Sequence, residues 1–113
     1  MGWLTRLLGG SGRSPEQVEA ELASALLGVE GVGPVDLAYR TDASGGGSLR
    51  GYVEVAGPEA FRAALGVVGR VLGTDGVRVA VYVVGRLPDG GEVTPSDLGF
   101  RPRPSGAELR EAQ

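Results

Sequence analysis

The stretch VRVAVYVVG, residues 77–85, carries the clearest secondary-structure signal in the chain. Its residues alternate between two faces with the period of a half-buried β-strand, and valine is enriched in strands. One face holds Val77, Val79, Val81 and Val83, and the other holds Arg78, Ala80 and Tyr82. The pattern predicts a strand whose valine face is covered by another layer and whose second face is polar.

Two more strands precede this one and are predicted to form a hairpin. Residues 34–42 alternate apolar and polar side chains, as do residues 49–57, LRGYVEVAG, and the polar segment ASGGGS between them is typical of a turn. The predicted core-facing positions are Val35, Leu37 and Tyr39 in the first strand and Leu49, Gly51, Val53 and Val55 in the second.

Two helices are predicted from their start signals. In SPEQ, residues 14–17, Ser14 can cap a helix, Pro15 suits its first position and Gln17 can complete a capping box. Gly28 is a plausible stop, and Pro58 begins the second helix in the same way. The apolar stripes that recur at helical spacing are Val18, Leu22, Ala25 and Leu26, then Phe61, Leu65, Val68 and Leu72.

The order of elements predicts an α+β fold, a two-layer sandwich with the order α-β-β-α-β. After the turn signal PDGG, residues 92–94 are expected to add a short fourth strand at the edge, which Pro95 ends. The third strand could pair with either member of the hairpin. The predicted organisation is an apolar segment and Gly/Ser linker over 1–13, a single domain over 14–100 and a flexible tail over 101–113.

Composition restricts the chemistry of this 113-residue chain. It contains no Cys, His or Lys, which removes thiolate and imidazole catalysis, Schiff bases and the usual zinc and iron–sulfur ligands. The acidic residues Asp89, Glu92 and Asp97 lack a metal-binding spacing and are expected to form a solvated loop. We therefore predict no catalytic residue, no metal and no cofactor. The net charge of −3 without a basic run argues against nucleic acid as a partner.

The run LRGYVEV, the following helix and DGVRVAVYVVG together resemble the core of BON-type domains, with Gly51 and the pair Gly76 and Val77 as the matching positions. These are small modules associated with envelopes or membranes, and the resemblance covers the central two-thirds of the chain. It implies a noncatalytic interaction with protein or lipid.

The face opposite the helices is the first candidate site, with predicted interaction residues Arg40, Arg50, Tyr52, Glu54, Arg78 and Tyr82. Tyr and Arg are enriched at binding hot spots, so a protein interface is one interpretation, and a homodimer is its simplest form. A solvated sheet face with cross-strand pairs is the other. Base stacking on the tyrosines is opposed by the acidic net charge. The alternative function is a small acid/base enzyme or ligand-binding domain that uses Tyr and carboxylates in a pocket.

The N-terminal stretch MGWLTRLLGG is the second candidate site. On a short helix its apolar side chains would form one patch suited to a membrane surface, a protein partner or the chain's own domain, and GGSGRS gives the segment reach. The predicted attachment residues are Trp3, Leu4, Leu7 and Leu8. Since no secretory signal or membrane span is evident, we expect a cytoplasmic protein that can lie peripherally at the inner membrane face.

Overall fold

Helices and a four-stranded sheet form two layers in the computed structural model, which describes residues 14–41, 46–73 and 79–111. The elements are α1 (Pro15–Leu27), β1 (Val32–Thr41), β2 (Gly47–Val55), α2 (Pro58–Leu72), β3 (Val79–Arg86), β4 (Glu92–Val93), a 3₁₀ turn (Pro95–Leu98) and α3 (Gly106–Glu111). The α+β class and the order α-β-β-α-β with a short fourth strand are thereby confirmed.

The sheet has the strand order β1-β2-β3-β4 and is mixed. β1 and β2 pair antiparallel, β2 and β3 pair parallel, and β4 pairs antiparallel with the end of β3. A parallel neighbour requires a crossover of about a dozen residues or more, and the fifteen-residue α2 supplies it. The third strand, whose position the sequence leaves open, therefore lies beside β2.

The capping box at the start of α1 has the predicted partners. The backbone N–H of Gln17 donates to Ser14 Oγ at 3.2 Å, and the backbone N–H of Ser14 donates to Gln17 Oε1 at 2.8 Å. At the other end the N–H of Gly28 donates to the carbonyls of Ala25 and Leu26. Both ends of α1 are thus fixed by local sequence.

The core lies between the helices and the inner face of the sheet. Of the core positions predicted for β1 and β2, Tyr39, Leu49, Val53 and Val55 are buried, Val35 and Leu37 are half-buried, and Gly51 is exposed. Val79, Val81 and Val83 of β3 are all buried, and within the described ranges no buried side chain is polar or charged. The apolar stripes of the helices meet this face, and their fully buried members are Leu22, Leu26, Phe61, Leu65, Val68 and Leu72.

Two glycines are required by close approaches between elements. At Gly85 an added Cβ would lie 2.9 Å from the Phe61 ring and 2.7 Å from Val93, so this position lets α2 and β4 pack against β3. Gly51 has a φ of +136°, and a Cβ there would lie 1.8 Å from the carbonyl oxygen of Asp36. Any L residue at Gly51 would therefore strain β2 and push β1 away.

The C-terminal segment differs from the flexible tail predicted for 101–113. The N–H of Val81 donates to the carbonyl of Pro104 at 2.9 Å, and Ser105 forms an antiparallel bridge with Ala80. Leu109 of α3 is 1% exposed and belongs to the core. A buried leucine and the hydrogen bonds to the edge of β3 thus hold a segment whose composition suggests solvation.

We expect Val81→Ala to lower the free energy of unfolding by about 1–3 kcal/mol, because it removes buried methyl groups and leaves a cavity. The matched control is Val84→Ala on the half-buried outer face of the same strand, which should cost clearly less. Urea denaturation measures both. Equal losses in the two variants would contradict the assigned faces.

The docking of the C-terminal segment is tested by Leu109→Ala, which should destabilise the protein by about 2–5 kcal/mol. Leu27→Ala is the control, because Leu27 is 72% exposed and the same truncation there should have little effect. Thermal and chemical denaturation provide the measurement. A stability unchanged by Leu109→Ala would mean that the segment is a free tail.

Candidate interaction surface

The face of the sheet opposite the helices, termed the outer surface, is built by the residues that alternate with the core positions. In the register of the sheet, Ala38 lies beside Arg50 and Arg50 beside Tyr82, while Asp36 lies beside Tyr52 and Tyr52 beside Val84. The outer surface comprises Asp36, Ala38, Arg40, Ser48, Arg50, Tyr52, Glu54, Ala80, Tyr82, Val84 and Arg86.

Five of the predicted interaction residues fall on this surface. Arg40, Arg50 and Glu54 are exposed, and Tyr52 and Tyr82 are half-buried. The sixth, Arg78, lies outside the described residues, as do the predicted attachment residues Trp3, Leu4, Leu7 and Leu8. The structure thus brings together the sheet residues that the alternation grouped.

Each of the two tyrosines is stacked by arginine. The guanidinium carbon of Arg86 lies 3.7 Å from the centroid of the Tyr52 ring. Those of Arg50 and Arg103 lie 5.0 Å and 5.7 Å from the centroid of the Tyr82 ring. At these distances each guanidinium is attracted to the negative face of a tyrosine ring.

Tyr82 also interacts with the charges around it through its hydroxyl. Arg103 Nη1 donates to Tyr82 Oη at 3.5 Å. This hydrogen bond, with the positive charges of Arg103 and Arg50, lowers the pKa of Tyr82 below its ordinary value by stabilising the phenolate. Because Arg103 donates in this contact, the Tyr82 proton remains available to an acceptor on a partner.

Two arginines, one on this surface and one beside it, were missed by sequence reasoning. Arg86 continues the alternation of β3 by two residues beyond Val84, so extending the pattern would have found it. Arg103 gave no such signal, because it belongs to the segment predicted as a tail. It reaches Tyr82 since the contacts of Pro104 and Ser105 with β3 place it there.

Charge on the outer surface is unevenly distributed along the strands. One end carries Arg40 and Arg50, with Arg103 beside Tyr82, and the other end carries Asp36 and Glu54 with Arg86. Arg101 forms an ion pair with Glu108 of α3. The outer surface therefore has a cationic end and an end with two carboxylates.

The carboxylates of the 88–97 loop have local structural roles. Asp89 Oδ1 accepts the N–H of Gly91 at 2.8 Å, and Asp97 Oδ2 accepts the N–H of Thr94 at 2.8 Å in a capping box of the 3₁₀ turn. Over the described part of the chain, no group of three or more potential metal ligands converges. Asp89 thus shapes the turn between β3 and β4, and Asp97 shapes the 3₁₀ turn after β4.

The surface depressions near the candidate residues are open. One lies at the centre of the outer surface, lined by Asp36, Arg50, Gly51, Tyr52 and Arg86 among others, and is open to solvent.

No family model, curated protein or solved structure matches the chain. The resemblance to BON-type domains therefore stays a prediction. Of its matching positions, Gly51 lies in β2, while Gly76 and Val77 lie outside the described residues. As for the membrane, the helices over the described ranges are all too short or too polar to cross a bilayer. The interpretation of the outer surface depends on its own geometry.

Proposed function

We propose that the chain is a noncatalytic assembly module that associates with a second copy of itself through the outer surface. The observation that supports this proposal is the polarised charge around two arginine-stacked tyrosines. It favours a protein partner over a solvated face, because Tyr and Arg are the residue types that dominate interface energetics.

The outer surface is complementary to itself in one orientation. If a second copy lies face to face with its strands reversed, the end that carries Arg40 and Arg50 lies over the partner's carboxylate end, and the reverse holds on the other side. With the strands in the same direction, arginines would lie over arginines, which costs interaction energy. The reversed arrangement is two-fold symmetric and closes on two copies.

The stacked side chains also lower the entropic cost of binding. Arg50, Arg86 and Arg103 are already held against Tyr rings in the single chain. Side chains that are ordered before association lose less rotamer freedom when a partner covers them. Val84 lies beside Tyr52 in the register, so an apolar side chain adjoins a stacked ring and can help to exclude water from the interface.

The size of the outer surface sets the expected affinity. Three strands about 4.8 Å apart, with about eight residues each at about 3.3 Å, give a face of roughly 14 Å by 26 Å. This is smaller than the about 800 Å² per partner of a standard interface. We therefore expect a reversible dimer that forms at micromolar or higher concentration.

Charge reversal tests the proposed orientation. Arg50→Glu and Asp36→Arg should each weaken the dimer by about tenfold or more, because each places like charges across the interface. Sedimentation velocity over a concentration series measures this. An equimolar mixture of the two single variants should dimerise, since each then supplies the charge that the other has lost.

Arg70→Glu, an equal charge change at an exposed position on the helix layer, should leave dimerisation unchanged and serves as the control. A chain that stays monomeric at all concentrations would refute the proposed function. A dimer that survives both single variants would refute its assignment to the outer surface.

The N-terminal segment, which lies outside the described residues, is proposed as a second point of attachment in the cytoplasm. It would bind either another copy of the chain or the inner membrane face.

Deleting residues 1–10 should leave the thermal midpoint nearly unchanged, because a Gly/Ser linker separates them from the capped start of α1. The deletion should weaken dimerisation or binding to anionic vesicles. Added salt should weaken binding of the segment to anionic lipid but not an apolar contact with protein, so the salt dependence distinguishes the two targets. A large loss of stability would assign the segment to the core.

A further inference from the structure

The two long edges of the sheet are treated differently in this fold. β3 is covered beyond β2 by β4 at one end and by Pro104 and Ser105 at the other. β1, at the opposite edge, is ten residues long and has no strand beside its outer side in the described part of the chain. Exposed strand edges are templates for pairing with another chain.

One contact closes part of the β1 edge. Glu19 Oε2 of α1 accepts the backbone N–H of Tyr39 at 2.7 Å, across twenty residues of sequence. In the antiparallel ladder with β2, successive residues point alternately toward and away from the partner strand. Since the N–H of Tyr39 points away from β2, the N–H groups of Leu37 and Thr41 point to the same open side.

The sequence of β1 is complementary to itself in one register of antiparallel pairing. When two copies of β1 are centred on Ala38, Asp36 of each lies opposite Arg40 of the other, on the outer surface. In the same register Leu37 faces the second copy's Tyr39 as a hydrogen-bonded pair, which agrees with the direction of their N–H groups. A register centred on Asp36 would instead place two carboxylates opposite each other, which is unfavourable.

The favoured register needs the N–H that Glu19 occupies. We propose that the β1 edge is a strand-pairing surface for a second copy of this chain and that Glu19 holds it closed. This interaction goes beyond the proposed function, because it joins two sheets edge to edge and leaves their outer surfaces free. A charge-assisted hydrogen bond to a backbone N–H competes effectively with the ladder bond that would replace it.

The inference is tested in an Arg50→Glu background, in which association through the outer surface is already weakened. Because the chain has no cysteine, Ala38→Cys places a single thiol at the proposed two-fold axis. In the proposed register the two copies of residue 38 form a non-hydrogen-bonded pair, in which the Cα atoms are about 4.5 Å apart. A disulfide spans this separation. Cross-linking is followed under mild oxidation on non-reducing gels.

Adding Glu19→Ala should raise the rate of cross-linking by about tenfold or more, because the charge-assisted bond no longer competes. Glu19→Gln keeps an acceptor for the Tyr39 N–H and should stay near the rate seen with Glu19. Glu16→Ala, an equal charge change on an exposed part of α1, is the control. Moving the thiol by Asp36→Cys should abolish cross-linking, since these positions lie far from each other in the proposed register.

Cross-linking that is equally fast with and without Glu19 would overturn the role of this residue. Cross-linking that is absent in every variant would overturn the pairing itself. Both results are distinguishable from failure of the proposed function, because association through the outer surface is measured with Arg50 and Glu19 intact. Circular dichroism confirms that each variant is folded before its cross-linking is compared.

Discussion

The hydrogen-bonding requirement of β3 organises most of the structure. On one edge, the backbone groups of β3 form the parallel ladder with β2, which is possible only because α2 crosses between the two strands. On the other edge, β3 pairs with β4 at one end and forms the bridge to Ser105 at the other. Buried backbone groups left without partners are costly, so the central position of β3 determines where the crossover helix, the short fourth strand and the C-terminal segment lie.

The same strand couples the core to the outer surface. The burial of Val81 and Val83 fixes the direction of Tyr82 between them, because neighbouring side chains of a strand point to opposite faces. The segment that completes the β3 edge also brings Arg103 to the Tyr82 ring. Loosening the C-terminal segment would therefore both weaken the fold and reduce the positive charge at one end of the surface.

The features that sequence predicted are those set by local patterns. The capping box at Ser14 and the proline at Pro58 indicated the two helix starts, and the alternation along β1, β2 and β3 indicated the two faces of the sheet. Strand order stayed open, because a period of two residues says nothing about which strand is the neighbour. Arg103 and the contact from Glu19 to Tyr39 were missed since each joins residues about twenty apart through tertiary structure.

Covering the β3 edge and part of the β1 edge while one sheet face stays exposed favours selective association. A strand edge offers N–H and C=O groups that any extended chain can meet, so an open edge recruits partners with little discrimination. A face with a cationic end and a carboxylate end accepts a partner in one orientation and repels it in the other. In the proposed assembly, the hydrogen bond from the Tyr39 N–H to Glu19 would disfavour pairing at the β1 edge and so leave the outer surface as the preferred contact.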